Sequence, residues 1–280
     1  MAYSGLGVEI NEDRVRAIGE ALRELGLGEA YRFEERDPQF KAILDLCRAI
    51  GDYPTVAKLT VLNSIVSYML KGRGEDHWAY FSRYFTRRRP VEICRDFEEY
   101  ASASPYLARG RDAKLARVSK LCRFIRGSVD LTNLNNLWSL LARALDSDGN
   151  SKTIVFAVKM AYYAAKACGV KVELPQNLPI PVDYRVATLT RCSGLVNGDV
   201  EYLMRNQRLV QRAWGMVSNL AGIPQLNLDS ILWVLGGFLI YSDFNAHEAF
   251  RKAVESGIIE KDERYLRLLR ELGVRCGGDV

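Results

Sequence analysis

The sequence predicts an all-α protein, and three observations predict it. Apolar residues recur at i, i+3, i+4 and i+7 through almost the whole of the 280-residue chain. Strand-like alternation bounded by turns is nearly absent. No internal repeat of useful period and no low-complexity segment interrupts the helical pattern.

The helical pattern falls over 11–26, 38–50, 54–71, 75–86, 90–101, 111–125, 133–145, 151–168, 183–194, 199–205, 207–222, 227–241, 246–256 and 261–272. Helix 75–86 carries Trp78 just after the glycine-containing stretch KGRG. Helix 111–125 lies in the basic stretch RGRDAKLARVSKLCRFIRG (109–127), with Lys114, Arg117, Lys120 and Arg123 at intervals of three. That row is either a solvated face or a set of phosphate contacts, and RYFTRRRP (83–90) reads the same way. Helix 133–145 ends in DSDGNS, and an apolar helix begins at once with Lys152 in its first turn. A cation there opposes the helix dipole by about 0.3–1 kcal/mol, and a residue that breaks a local rule without structural gain is a candidate for function. Lys152, Phe156 and Lys159 stand at i, i+4 and i+7, so they share one helix face. The connector KVELPQNLPIPVDYR (171–185) holds three of the eight prolines. Proline removes donors and holds its predecessor extended, so the chain reaches Asp183 rigidly. Asp183 then begins helix 183–194, where N-capping alone would explain it. Asp229 reads as a cap for the next long helix. The apolar run ILWVLGGFLIY (231–241) is too short to span a bilayer and is expected as a buried helix.

Composition bounds the rest. Hydrophobic residues make up 48% and charged residues 26%, enough for one large domain or two intimate lobes. The net charge of +5 permits an anionic partner without requiring one. No signal peptide is evident at the acidic and polar N-terminus. The six cysteines, Cys47, Cys94, Cys122, Cys168, Cys192 and Cys276, are scattered without a CxxC. They are expected as buried free thiols in a reducing cytoplasm, with no zinc site or iron–sulfur cluster. DSDGN looks like a calcium loop. Placing Gly149 at the loop's obligatory glycine, however, puts Ala144 at the first ligand position and Val155 where a bidentate glutamate belongs.

Helix, glycine-containing hairpin, helix with an early lysine, proline-rich connector and an aspartate at a helix start resemble a helix-hairpin-helix DNA glycosylase. The segments SKTIVFAVK (151–159) and PIPVDYRVATLT (179–190) look like its catalytic lysine and aspartate segments. ERDPQF (35–40), LNSIVSY (62–68), GEDHWAYFSRYF (74–85), ICRDFEEY (93–100) and GIPQLNLDSILW (222–233) narrow the resemblance to the archaeal 8-oxoguanine DNA glycosylase family. The tail after about residue 245 is less family-like and has no assigned role.

That resemblance implies excision of 8-oxoguanine through a lysine Schiff base, then strand cleavage by β-elimination. Lys152 would be the amine nucleophile and Asp183 its assistant. Trp78 and Phe156 would sandwich the extruded base. Gln39, Ser67, Lys159, Pro179, Asp229 and Trp233 would contact the substrate. A nucleophilic lysine must be neutral, and desolvation, a helix N-terminus and a neighbouring cation such as Lys159 all act in that direction. The resemblance further implies a two-lobed all-α fold with the lesion pocket between lobes. Residues 1–85 would give part of lobe one, 86–195 the helix-hairpin-helix lobe, and 196–280 helices returning to lobe one. Damaged DNA is the expected partner of a cytoplasmic monomer, with no cofactor, metal, protein partner or membrane. A related glycosylase for another damaged base, and a non-catalytic helical DNA-binding module, are the alternatives.

Overall fold

The structure, a computed structural model, describes residues 10–127 and 129–277. Fifteen α-helices account for most of them: α1 Glu12–Leu25, α2 Leu27–Arg36, α3 Pro38–Ile50, α4 Tyr53–Ile65, α5 Gly74–Arg87, α6 Ile93–Ala103, α7 Arg111–Ile125, α8 Leu134–Ala144, α9 Lys152–Ala167, α10 Tyr184–Cys192, α11 Val200–Arg205, α12 Gln207–Ala221, α13 Gln225–Ile240, α14 Ala246–Glu255 and α15 Glu263–Gly273. Among the described residues the only β-pairing outside the helices is the isolated bridge between Ile10 and Val196.

Two expected elements differ. Helix 54–71 stops at Ile65 as α4. Beyond it the Ser67 Oγ donates back to the Asn63 carbonyl, and Met69 takes a positive φ of 47°. The Ser67 amide bonds the Ser64 carbonyl at 3.1 Å, an i−3 step that replaces the α-helical ladder there. The additional helix α2 lies between the expected helices 11–26 and 38–50; Gly26 closes α1 and α2 starts at the next residue.

The described chain forms two compact units. One joins the residues up to Glu34 with those from Pro179 onward; the other is Glu35–Leu178. The boundaries of these compact units fall at 34/35 and 178/179. The reason is packing. α3 rests on α5 and α9, and α4 on α9, so the helices of 35–87 belong with the hairpin helices.

In the second unit α9 is the central helix, packed by α3, α4 and α8. Its apolar surface is nearly continuous, from Ile154 to Ala165, and burial on several sides is what such a helix requires. In the first unit α1 packs on α12 and α15, and α10 packs on α13. The core there includes Ile18, Leu22, Trp214, Leu228, Leu232, Leu235 and Leu269, each fully buried or nearly so. No single described helix is long and apolar enough to cross a membrane. The pair α12 and α13 passes that test only together, across a 100° bend.

All six cysteines are paired: Cys47–Cys168, Cys94–Cys122 and Cys192–Cys276. The free-thiol expectation is corrected, and with it the argument for a reducing compartment. The partners lie 121, 28 and 84 residues apart, a proximity that local spacing cannot reveal. Each bridge lies within one unit.

Candidate active site

The hairpin between α8 and α9 is tied down by its own polar groups. Trp138 Nε1 donates to the Gly149 carbonyl at 2.6 Å. A Cβ on Gly149 would sit 3.1 Å from that nitrogen, so the glycine makes the close approach possible. Asp148 Oδ1 accepts the Asn150 amide at 2.9 Å. Ser147 and Ser151 share a hydroxyl contact at 3.0 Å. Ser151 is the N-cap of α9 but makes no side-chain capping bond. Its hydroxyl donates instead to the Asp148 carbonyl at 2.7 Å. Lys152 therefore opens α9 half-buried, at a helix start that no capping oxygen serves.

Arg117 holds the neighbouring residue. Its Nη2 donates to Thr153 Oγ1 at 2.9 Å and its Nε to the Ile65 carbonyl at 3.1 Å. One side chain of α7 thus joins the end of α4 to the first turn of α9. This corrects the reading of 109–127 as one basic face. Lys114 is fully buried over the Tyr68 ring, at 5.1 Å, and Arg117 lies 5.7 Å from the same ring. Burial pushes the Lys114 ammonium down, with Arg111 adding to it. Only Lys120 and Arg123 of the four remain on the surface. The physical reason is geometric: steps of three on a helix of 3.6 residues per turn slip by about 60° each, so four such residues spread around half the helix. Arg83, Arg87, Arg88 and Arg89 of the other basic stretch are exposed.

Trp78 and Phe156 meet, with ring centroids 6.1 Å apart and planes at 79°. Trp78 is only 1% exposed, and Phe81 also packs against it, with ring centroids 5.6 Å apart. An edge-to-face pair leaves no slot for a flat base. Stacking between the two rings requires them to separate and turn parallel.

Ser67 contacts His77, whose ring lies 6.2 Å from that of Trp78. Its hydroxyl donates to the Asn63 carbonyl at 2.7 Å and stands 3.2 Å from His77 Nε2. With that hydrogen committed, the network assigns the proton to His77 Nε2 and leaves Nδ1 as an acceptor. Nδ1 has no protein partner among the described residues. Burial pushes the imidazole down to about 3, with Lys114 adding to it.

Lys159 does not look outward with Lys152. It is 1% exposed, with its ammonium 5.1 Å from the Tyr163 ring centre. Asp37 belongs to the same cluster. Its Oδ1 accepts the Gln39 amide at 2.8 Å and its Oδ2 the Tyr163 hydroxyl at 3.1 Å. Burial pushes this carboxyl up, opposed by the Lys159 charge and the two hydrogen bonds. Gln39, 6% exposed, is thereby fixed at its backbone. Sequence reasoning missed Asp37. The signal is present in ERDPQF, where an aspartate before a proline marks a helix start.

Pro179, Asp183, Asp229 and Trp233 lie in the other unit. Pro179 is buried. The connector after it is pinned at Ile180, whose amide donates to Gln225 Oε1 at 3.0 Å and whose carbonyl accepts from Gln211 Nε2 at 3.1 Å. Asp183, half-buried, is the N-cap of α10 and accepts the Val186 amide at 2.9 Å. Asp229 is 3% exposed and inside α13, which starts at Gln225 with Pro224 as its N-cap, so it does not cap that helix. Trp233, half-buried, follows it one turn later. The Arg185 guanidinium lies over its ring, 4.3 Å from the centroid.

The structure thus sets a half-buried lysine at the start of α9, behind a hydrogen-bonded hairpin, with Phe156 one turn on and paired with Trp78 of α5. Comparison with known proteins gives the family. The family described as AGOG, N-glycosylase/DNA lyase, matches residues 19–269. The chain belongs to that family. An N-glycosylase/DNA lyase of Pyrobaculum aerophilum is 38% identical over 238 residues, covering 84% of this chain and 91% of the relative. One of Thermococcus kodakarensis is 38% identical over 244 residues, covering 82% and 87%. The solved structure of the Pyrobaculum aerophilum 8-oxoguanine DNA glycosylase complexed with 8-oxoguanosine is similar, with a TM-score of 0.82 and 34% identity. It covers 96% of this chain and 98% of that one. The family match includes α14 and most of α15, so the tail expected to stand apart belongs to the N-glycosylase/DNA lyase fold.

Proposed function

We propose that this N-glycosylase/DNA lyase excises 8-oxoguanine from DNA with Lys152 as nucleophile. The Lys152 Nζ lone pair attacks the sugar C1′, and the N9–C1′ bond breaks with its electrons leaving on the base. Loss of the amine proton and opening of the sugar ring give the Schiff base. Removal of a C2′ proton then expels the 3′ phosphate, which is β-elimination. Asp183 assists by accepting the amine proton or by stabilising positive charge on the sugar. Trp78 and Phe156 stack on the extruded base after separating. Gln39, Ser67, Lys159, Pro179, Asp229 and Trp233 contact it.

The observation that supports this most is the start of α9: Lys152 sits where a cation is electrostatically disfavoured, on a hairpin clamped by Trp138 and Gly149. The similarity to a glycosylase solved with 8-oxoguanosine bound, at 34% identity, supports 8-oxoguanine as the base. Borohydride trapping of a covalent adduct on an oligonucleotide carrying 8-oxoguanine tests the chemistry. The same assay on a panel of damaged bases tests the substrate. No adduct with any base refutes the Schiff base, and a stronger adduct with another lesion refutes the substrate.

A further inference from the structure

Arg185 repeats the anomaly of Lys152. It is a cation in the first turn of a helix, two residues after the N-cap Asp183, where the helix dipole disfavours it. In this case the structure supplies the compensation. The guanidinium lies 4.3 Å from the centre of the Trp233 ring, and Nη1 donates to the Trp233 carbonyl. Arginine suits both tasks, because its planar fork can stack and donate together. No carboxylate pairs with Arg185 among the described residues.

The facing surface of α13 is shaped for this contact. A Cβ on Gly237 would stand 3.2 Å from Arg185 Nη1 and 3.5 Å from Cζ. A Cβ on Gly236 would stand 2.5 Å from Leu189 Cδ1. Arg185 and Leu189 are one turn apart on α10, so the glycine pair forms a groove that seats one face of that helix. Trp233 is one turn before Gly237, and Asp229 one turn before Trp233. The contact therefore couples the helix that begins at Asp183 to the helix that carries Asp229 and Trp233.

We propose that Arg185 is a positioning residue: it fixes the plane and backbone of Trp233, and through Trp233 the discrimination of the damaged base from guanine. This rests on the proposed role of Trp233 as a base contact, in which its indole N–H, with Asp229 and Gln39, reads the polar edge of the base. An arginine serving only the stability of the α10–α13 packing would not act through that ring.

The test is single-turnover excision of 8-oxoguanine and of guanine in one duplex context, with thermal melting of every variant. Wild type is measured first; if it neither excises nor traps, the functional reading fails, and the Arg185 inference falls with it. With active wild type, Arg185→Met should lower the preference for the lesion by about tenfold, the size of one favourable cation–π contact. In a Trp233→Leu background the same change should alter the preference less than about twofold, because the group it positions is gone. Gly237→Ala pushes on the guanidinium without removing it and should lower the preference in the same direction. Arg185→Lys keeps the charge but loses the plane, and should recover less than half of the effect. The inference is overturned if Arg185→Met keeps the full preference while wild type is active, or if its effect persists undiminished without Trp233. It is also overturned if Arg185→Lys behaves as wild type. Should Arg185→Met fail to fold, Gly237→Ala and Arg185→Lys carry the decision.

Discussion

Asp183 Oδ1 accepts the backbone amide of Val186 at 2.9 Å, so the candidate catalytic carboxylate is also the N-cap of α10. The second oxygen has no protein partner among the described residues. One side chain can therefore both start a helix and serve the reaction. Asparagine separates the two, because its amide oxygen caps as well as aspartate but carries no charge. Asp183→Asn should melt close to wild type while excision at saturating DNA falls by orders of magnitude. Asp183→Ala should add about 1 kcal/mol of destabilisation from the lost cap. Full activity in a folded Asp183→Asn would remove the catalytic role.

Lys152→Gln should abolish both base release and borohydride trapping, since it removes the attacking amine. Lys159 is the other amine on that face, but it is buried beside Asp37 and Tyr163. Folded Lys159→Gln should still trap. Trapping that survives in Lys152→Gln and disappears in Lys159→Gln would reassign the nucleophile.

Guanine is expected to be refused at its polar edge. The oxidised base carries a hydrogen on N7 where guanine presents a lone pair, and an acceptor left facing a lone pair costs about 1–3 kcal/mol. Gln39→Ala and Asp229→Ala should lower the preference for 8-oxoguanine over guanine in single-turnover excision. Trp78→Ala should weaken both alike, because both bases offer the same flat face. The opposite pattern, preference lost in Trp78→Ala alone, would refute this division of labour.

Stability should fall on acidification through His77. Its folded-state pKa of about 3 lies below the ordinary 6.5, so the unfolded chain binds the extra proton. The imidazole's contribution is fully present above pH 6.5 and is lost as pH falls from 6.5 toward 3. Each pKa unit is worth about 1.4 kcal/mol, which sets a ceiling of about 5 kcal/mol across that range. Denaturant unfolding of His77→Gln should show a flatter dependence on pH over the same window. An identical slope in the variant would exclude His77 as its source.

The three disulfides should contribute measurably to stability. In the chain-entropy description, loops of these lengths contribute roughly 3–5 kcal/mol each. Native protein should present no thiol to an alkylating reagent until reduced, and reduction should lower the melting temperature. Cys192→Ser with Cys276→Ser removes the bridge within the first unit and should lower stability without abolishing trapping. Six reactive thiols in unreduced protein would contradict the pairing.

The sequence alone determined what depends on residues within a turn or two of each other. Helical periodicity, a proline-stiffened connector, Asp183 at a helix start and Lys152 beginning α9 are all local, because hydrogen bonds and side-chain neighbours in a helix span three or four residues. The segments around Lys152 and Asp183 carried the family for the same reason. What tertiary structure decided is what depends on groups distant in the chain. Lys114, Arg117 and Lys159 look like surface cations locally, yet packing turns Lys114 and Lys159 fully inward and half-buries Arg117 against Ile65 and Thr153. Asp37 gains its role only when Tyr163, 126 residues later, donates to it. Arg185 meets Trp233 across 48 residues through a groove that two glycines leave open. The cysteines pair across 28 to 121 residues. Each of these contacts requires chain closure over a long loop, and the energy that holds such a loop closed comes from the packed core, not from the residues that meet.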